Sequence, residues 1–171
     1  MIRRISLTCV LIAQSCFAQT AVSGTEPKFS DYPVRVSSRA GSASPKLTTP
    51  GQRNFRTMIR DGAARGPNFA GHFTIAEWGC GTSCVQLVVV DNESGSVYES
   101  PFGSLPKAFV CLGAGADPDE MGIFYKPDSS LLIVRGCPND KDCGAMYYLW
   151  TGARFKVLRR VPMSSVVGCE P

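Results

Sequence analysis

Two short loops, each bracketed by cysteines and set between strand-like runs, constrain this chain more than any other feature. Cys80-Gly81-Thr82-Ser83-Cys84 lies between the alternating run Phe73–Trp78 and the nearly continuous β-branched run Val85–Val90. Cys137-Pro138-Asn139-Asp140-Lys141-Asp142-Cys143 lies between Leu131–Arg135 and Met146–Trp150. Each unit then passes a glycine-containing turn, Asp91–Gly95 or Thr151-Gly152, into a third run, Ser96–Glu99 or Phe155–Leu158, as turn chemistry and β propensity dictate. The first cysteines of the two loops are 57 residues apart, the spacing of propeller blades and related meanders. Phe124-Tyr125-Lys126-Pro127-Asp128, followed by Leu131, resembles the entry to a propeller-blade strand. Two units cannot close a propeller. The expected fold is therefore mainly β, a β-rich α+β domain: antiparallel meanders in two quasi-repeated blade-like units, as two packed sheets or one curved sheet, with a helix against one side.

Whether those cysteines are oxidised depends on compartment, and the first eighteen residues address that. Met1-Ile2-Arg3-Arg4 is a positive start, Ile5–Ala13 is mainly apolar, and Cys16-Phe17-Ala18 places small residues at −3 and −1 of a cut before Gln19. Those parts make a secretory signal peptide over 1–18. Lipidation at Cys16 is the rival, but Ala13-Gln14-Ser15 lacks the usual Leu at −3. The apolar stretch is far shorter than the roughly 20 residues that span a bilayer, so the chain is not expected to be membrane-spanning. The expected location is periplasmic or secreted.

An exported chain without 1–18 keeps Cys80, Cys84, Cys111, Cys137, Cys143 and Cys169. Six cysteines there imply three disulfides, and fifteen connectivities are open. Hairpin geometry favours Cys80–Cys84 and Cys137–Cys143, which leaves Cys111 with Cys169. Zinc held by Cys80, Cys84, His72 and Cys137 would lack the usual paired CxxC-like spacing. A catalytic thiol beside His72 would need a spare cysteine, and an even count leaves none.

The whole chain has 171 residues with a net charge of +4. Loss of Arg3 and Arg4 leaves 16 basic against 14 acidic residues, a net +2, which gives nucleic-acid binding no compositional support. Residues 19–66 carry +5 and residues 67–171 carry −3, an asymmetry that suits two oppositely charged faces. Gln19–Thr49 is rich in Ser, Thr, Ala, Pro and Gly and reads as a flexible leader over 19–48, with one short strand at Tyr32–Val36. A single β-rich domain is expected over 49–171. It opens on a helix announced by Thr49 as N-cap and Pro50 at N1. Phe55, Met58, Ile59 and Ala63 form its apolar face, and Gly62, Gly66 and Pro67 stop it.

Gly66-Pro67-Asn68-Phe69-Ala70-Gly71-His72-Phe73, followed by Trp78-Gly79-Cys80-Gly81-Thr82-Ser83-Cys84, resembles a family of exported bacterial proteins known mainly as hypothetical. Its members carry a GPNFAGH[YF]…WGCGT[GS]C core and a C-terminal CGxxYxWxGxxF segment, here Cys143–Phe155. The likeness covers roughly residues 50–160 and implies no activity. It marks the crossover between helix and first strand as a defined feature.

That crossover supplies the candidate site. Asn68, His72, Glu77 and Trp78 could line a pocket, with His72 and Glu77 as candidate catalytic groups. Being five apart, they face opposite sides of a continuous strand. Tyr148 and Trp150 join Asn68, His72 and Trp78 as candidate binding residues, since Tyr and Trp favour interface hot spots. Asp91, Asn92, Glu93 and Gly95 imitate part of a calcium loop, but Phe102 stands where the closing Glu belongs. Asp117, Asp119 and Glu120, and Asp140 with Asp142, read as solvated turns. Neither metal nor cofactor is expected, and no nucleophile-elbow, phosphate-loop, dinucleotide or zinc-protease pattern occurs. The function expected is an exported binding module for a protein or an envelope ligand, of inhibitor or immunity type. The alternative is a small periplasmic hydrolase with a pocket around His72. A third reading is a purely structural envelope protein.

Overall fold

The computed structural model describes residues 25–37, 43–81, 84–106, 122–141 and 143–162. Two antiparallel four-stranded sheets dominate them. Sheet A comprises β1 (Phe73–Gly81), β2 (Cys84–Asp91), β3 (Val97–Glu99) and β4 (Leu105–Pro106), with β2 central. Sheet B is a meander of β5 (Gly122–Phe124), β6 (Leu131–Gly136), β7 (Gly144–Trp150) and β8 (Phe155–Pro162). The expected pairings across the cysteine loops hold, β1 with β2 and β6 with β7. Cys80–Cys84 and Cys137–Cys143 are disulfides. Cys111 and Cys169, the signal segment 1–18, and the acidic loop Asp117–Glu120 lie outside the described residues. No helix among the described residues is long and apolar enough to cross a membrane.

Side-chain alternation sorts the strands into layers. Phe73, Ile75, Leu87 and Val89 of sheet A meet Leu132, Val134, Met146, Tyr148 and Trp150 of sheet B in the central core. On the outer face of sheet A, Ala76, Val88 and Val90 pack under Ile59 and Ala63. Leu131, Ile133, Ala145 and Tyr147 cover the outer face of sheet B. Both faces of β2 and β6 are thus buried, which is why those runs are nearly continuous in apolar residues rather than alternating.

The helical layer differs from the single helix expected. Thr49 Oγ1 accepts from Gln52 N at 3.1 Å, and Gln52 Oε1 accepts from Thr49 N at 3.3 Å. This is the reciprocal cap of a helix start. The helix then breaks at Phe55 into α1 (Pro50–Asn54) and α2 (Arg56–Ala64). Its buried face is Gln52, Ile59, Gly62 and Ala63, while Phe55 is 38% and Met58 50% exposed. The physical reason is close approach. A Cβ on Gly62 would overlap Ala76, so α2 lies close on β1 with room beneath it for Ile59, while Phe55 and Met58 turn out to the flanks.

Of the segment expected to be a flexible leader, the described residues 25–37 and 43–46 are docked instead. Phe29 and Tyr32 pack on the outer face of sheet B. Val34 N donates to Asp128 O at 2.9 Å, and Ser130 N donates to Tyr32 O at 3.0 Å. The Tyr147 hydroxyl donates to Glu26 at 2.6 Å, and Arg159 donates to Thr25 O at 3.2 Å. Residues 43–46 lie against the other sheet, where Lys46 N donates to Gly95 O at 2.7 Å. Two aromatic side chains and main-chain hydrogen bonds hold this cover, and neither produces a periodic apolar pattern.

Candidate functional site

The four residues expected to line one pocket are dispersed. Asn68 spends its amide on the edge of β1, with Oδ1 accepting from Ile75 N at 2.8 Å and Nδ2 donating to Ile75 O at 3.1 Å. A side chain thereby completes the ladder at an edge strand. His72 stacks on Phe73, with ring centroids 4.2 Å apart, and its Nε2 lies 3.7 Å from Asp91 Oδ1. Glu77 projects from β1 on the side of the central core and hydrogen-bonds Tyr125; burial and that carboxylate push the Tyr125 phenol well up. Trp78 points to the opposite, helix-bearing face. His72 and Glu77 therefore belong to different local networks.

The His72 network is built around the β2–β3 turn. Asp91 accepts from Glu93 N at 2.8 Å and from Ser94 Oγ at 2.7 Å. Burial alone would raise the Asp91 carboxyl, but these bonds, the Ser94 amide and nearby His72 outweigh it and leave it below the ordinary value. Asn92, fully buried, donates to His72 O at 3.0 Å and Thr74 Oγ1 at 2.6 Å. The calcium-like sequence at 91–95 is thus a carboxylate-capped turn, and among the described residues no group of three or more acidic, His or Cys side chains could hold a metal.

Tyr148 and Trp150, expected to present a binding surface, are each 4% exposed. Trp150 is the hub of an aromatic core, 5.2 Å from Phe73, 5.3 Å from Tyr98 and 4.8 Å from Phe155 by ring centroids. Their parity explains it: both point from β7 into the space between the sheets.

Trp78 does line a cleft, of about 320 Å³, between α1 and the outer face of sheet A. Its indole N–H donates to Gln86 Oε1 at 3.1 Å, directly across the β1–β2 ladder. Phe55 lies against it, with ring centroids 5.0 Å apart and planes tilted by 30°. Glu99 is fixed at the far side, its Oε1 accepting from Gln52 Nε2 at 2.8 Å. Phe102 and Ile59 form the apolar floor. The break at Phe55 that ends α1 is what leaves this ring beside Trp78 instead of beneath the helix. The volume lies at the lower end of the range for small-ligand sites. A second hollow of about 420 Å³ shares Gln52, Glu99 and Ser100 and runs on toward Arg154 and Phe155.

Gln86 and Glu99 were not singled out in the sequence, and Phe55 was read only as part of the helix's apolar face. Gln86 carried a usable signal, being the one polar residue in an otherwise apolar run. Glu99 and Gln52, 47 residues apart, carried none. No protein-family model, no curated protein and no solved structure matches this chain. The fold and the cleft define a disulfide-braced, β-rich scaffold with an aromatic recess on one face.

Proposed function

We propose that this chain is an exported binding module whose recognition site is the cleft between α1 and sheet A. One observation carries the reading: Trp78 and Phe55 form an aromatic wall already fixed by the Trp78–Gln86 hydrogen bond. A preorganised wall of this kind gives affinity without the cost of ordering side chains on binding. The opposite wall, Gln52–Glu99, is likewise fixed in place. The two local disulfides suit an oxidising compartment, in keeping with the signal peptide expected over 1–18. The ligand class is a protein or an envelope component.

The test uses matched baits of the wild type, Trp78→Ala and His72→Ala, each confirmed folded by its melting transition. They are exposed separately to soluble periplasmic protein and to insoluble cell-wall material. Material retained by wild type and His72→Ala but lost from Trp78→Ala is the expected result. Equal retention by all three, or loss only from His72→Ala, would remove the cleft as the site.

A further inference from the structure

Gln52 is 4% exposed, and its amide can sit only one way round. Its Oε1 accepts from Thr48 N at 2.8 Å and from Thr49 N at 3.3 Å, and a main-chain N–H can only donate. The Nε2 end must therefore face β3, where it donates to Glu99 Oε1 at 2.8 Å. A neutral amide thus fixes the Glu99 carboxylate without compensating its charge. Glu99 is the one ionisable group lining the cleft among the described residues, and it forms no ion pair with any of them. Arg154 lines the neighbouring hollow together with Glu99, yet the two are not paired.

Strand register sets where this charge stands relative to the aromatic wall. Trp78 lies opposite Gln86, and Val88 opposite Glu99, so all four share the helix-bearing face of sheet A. Two strand intervals separate Trp78 from Glu99, roughly 10 Å. The accessible groups of the lining are therefore sorted by end. Phe55, 38% exposed, and half-buried Trp78 form an apolar end, and exposed Glu99 forms an anionic one.

We infer that the cleft receives the side chain of a lysine on the surface of a partner protein; this rests on the cleft being the recognition site. The aromatic rings cover the four-carbon stem, and the ammonium meets the Glu99 carboxylate. Arginine suits the site less well. A guanidinium recognises a carboxylate through two parallel hydrogen bonds, and Glu99 Oε1 is already engaged by Gln52. One open oxygen matches the point charge of an ammonium. The lysine belongs to a larger body because the recess does not end at Glu99 but runs on into the hollow that bears Arg154. An unpaired cation there complements an acidic residue beside the lysine, and such alternation of charge fixes the register of a protein partner.

The experiment follows the Trp78 indole N–H by NMR while the exported chain is titrated with Nα-acetyl-lysine methylamide. The norleucine and arginine counterparts are controls, and Trp78→Ala identifies the signal. A saturable shift with a millimolar dissociation constant is expected for the lysine probe, with weaker binding of the arginine probe and at least about fivefold weaker binding of the norleucine probe. Glu99→Gln keeps an acceptor for the Gln52 amide, so its melting temperature should stay within a few degrees of wild type while the lysine probe binds at least about fivefold more weakly. Equal binding of the norleucine probe, or an unchanged response in Glu99→Gln, would overturn the cationic assignment. Equal binding of the arginine probe would overturn the choice of lysine. Retention of cell-wall material through Glu99, with no protein retained, would overturn the protein as the source of the amine. No response to any probe would overturn the amine altogether, and the bait experiment with Trp78→Ala then decides separately whether the cleft is the recognition site.

Discussion

Sheet A and sheet B are built from the same unit of strand, cysteine loop, strand, turn and strand, and they share one core, yet their outer faces wear different covers. Over sheet A lie two short helices seated on Ala76, Val88 and Val90. Over sheet B lies the segment 25–37, extended apart from one 3-10 turn at Phe29–Asp31, seated on Leu131, Ile133 and Tyr147 and hydrogen-bonded to the β5–β6 turn. An extended chain can follow a twisted sheet and bond to its rim. A helix is straight and touches a twisted surface along only part of its length. The comparison teaches that a recess arises where the cover is rigid: α2 meets sheet A closely at Gly62, and the layers part toward α1, where Trp78 and Phe55 line the opening.

The most damaging way to break this comparison is to attack the core both sheets share. Phe69 is fully buried and its ring lies 6.2 Å from Tyr125 and Phe155 and 6.3 Å from Trp150. Phe69→Ala should cost about 3–5 kcal/mol. Urea unfolding followed by fluorescence and by far-UV circular dichroism should still give coincident transitions; separated ones would show that the halves fold independently.

Next in size are the two loops. The paired replacements Cys80→Ala with Cys84→Ala, and Cys137→Ala with Cys143→Ala, remove disulfides that close loops with separations of 4 and 6. Chain entropy assigns each about 2 kcal/mol. Near-equal losses in urea unfolding would confirm the units as equivalent; a large disparity would show one loop supporting more than its own hairpin.

A smaller effect separates the covers. Tyr147→Phe removes the hydrogen bond to Glu26 and should cost about 1 kcal/mol. It should speed proteolysis near residues 25–37 while leaving ligand binding at the Trp78 cleft unchanged. A parallel loss at the cleft would couple the two covers.

The smallest effects are in pH. Burial, and then the Glu26 hydrogen bond, push the Tyr147 phenol up to about 12. A raised native pKa favours the protonated form, so this contribution is complete below about pH 10, the unfolded value, and is lost as pH rises toward 12. Tyr125, with its phenol also raised, adds to the same alkaline limb. Asp91 has the opposite sign. Its carboxyl is held low, so its contribution exists above about pH 4 and disappears as pH falls through the native value. Thermal melts across pH should therefore show an alkaline limb flattened in Tyr147→Phe and an acid limb flattened in Asp91→Asn. Unchanged limbs in those variants would assign the pH dependence elsewhere.

Much of the scaffold was legible because it is written in local chemistry. Thr49-Pro50 marks a helix start through groups three residues apart, and Asp91–Gly95 marks a turn through one carboxylate and adjacent amides. The cysteine loops are hairpins because their flanking runs have strand composition. The site was less legible. Trp78 was visible as a candidate, but Tyr148 and Trp150 read as surface aromatics and proved to be core. An aromatic residue in a strand looks the same whichever sheet face it occupies, and its exposure depends on what packs there. Phe55 failed in the opposite direction, since its spacing from Ile59 matches a buried stripe and only the closeness of Gly62 to Ala76 turns it outward.

By itself, then, the sequence determined six of the eight strands, β1–β3 and β6–β8, their hairpin pairing across the cysteine loops and the doubling of the unit, since all of these follow from neighbours within a few residues. Tertiary structure alone decided which face of each strand became core, that residues 25–37 dock on sheet B, and that Gln52 meets Glu99 beside Trp78. Those outcomes depend on distant segments competing to bury the same apolar surface, a competition that local propensity and spacing do not record.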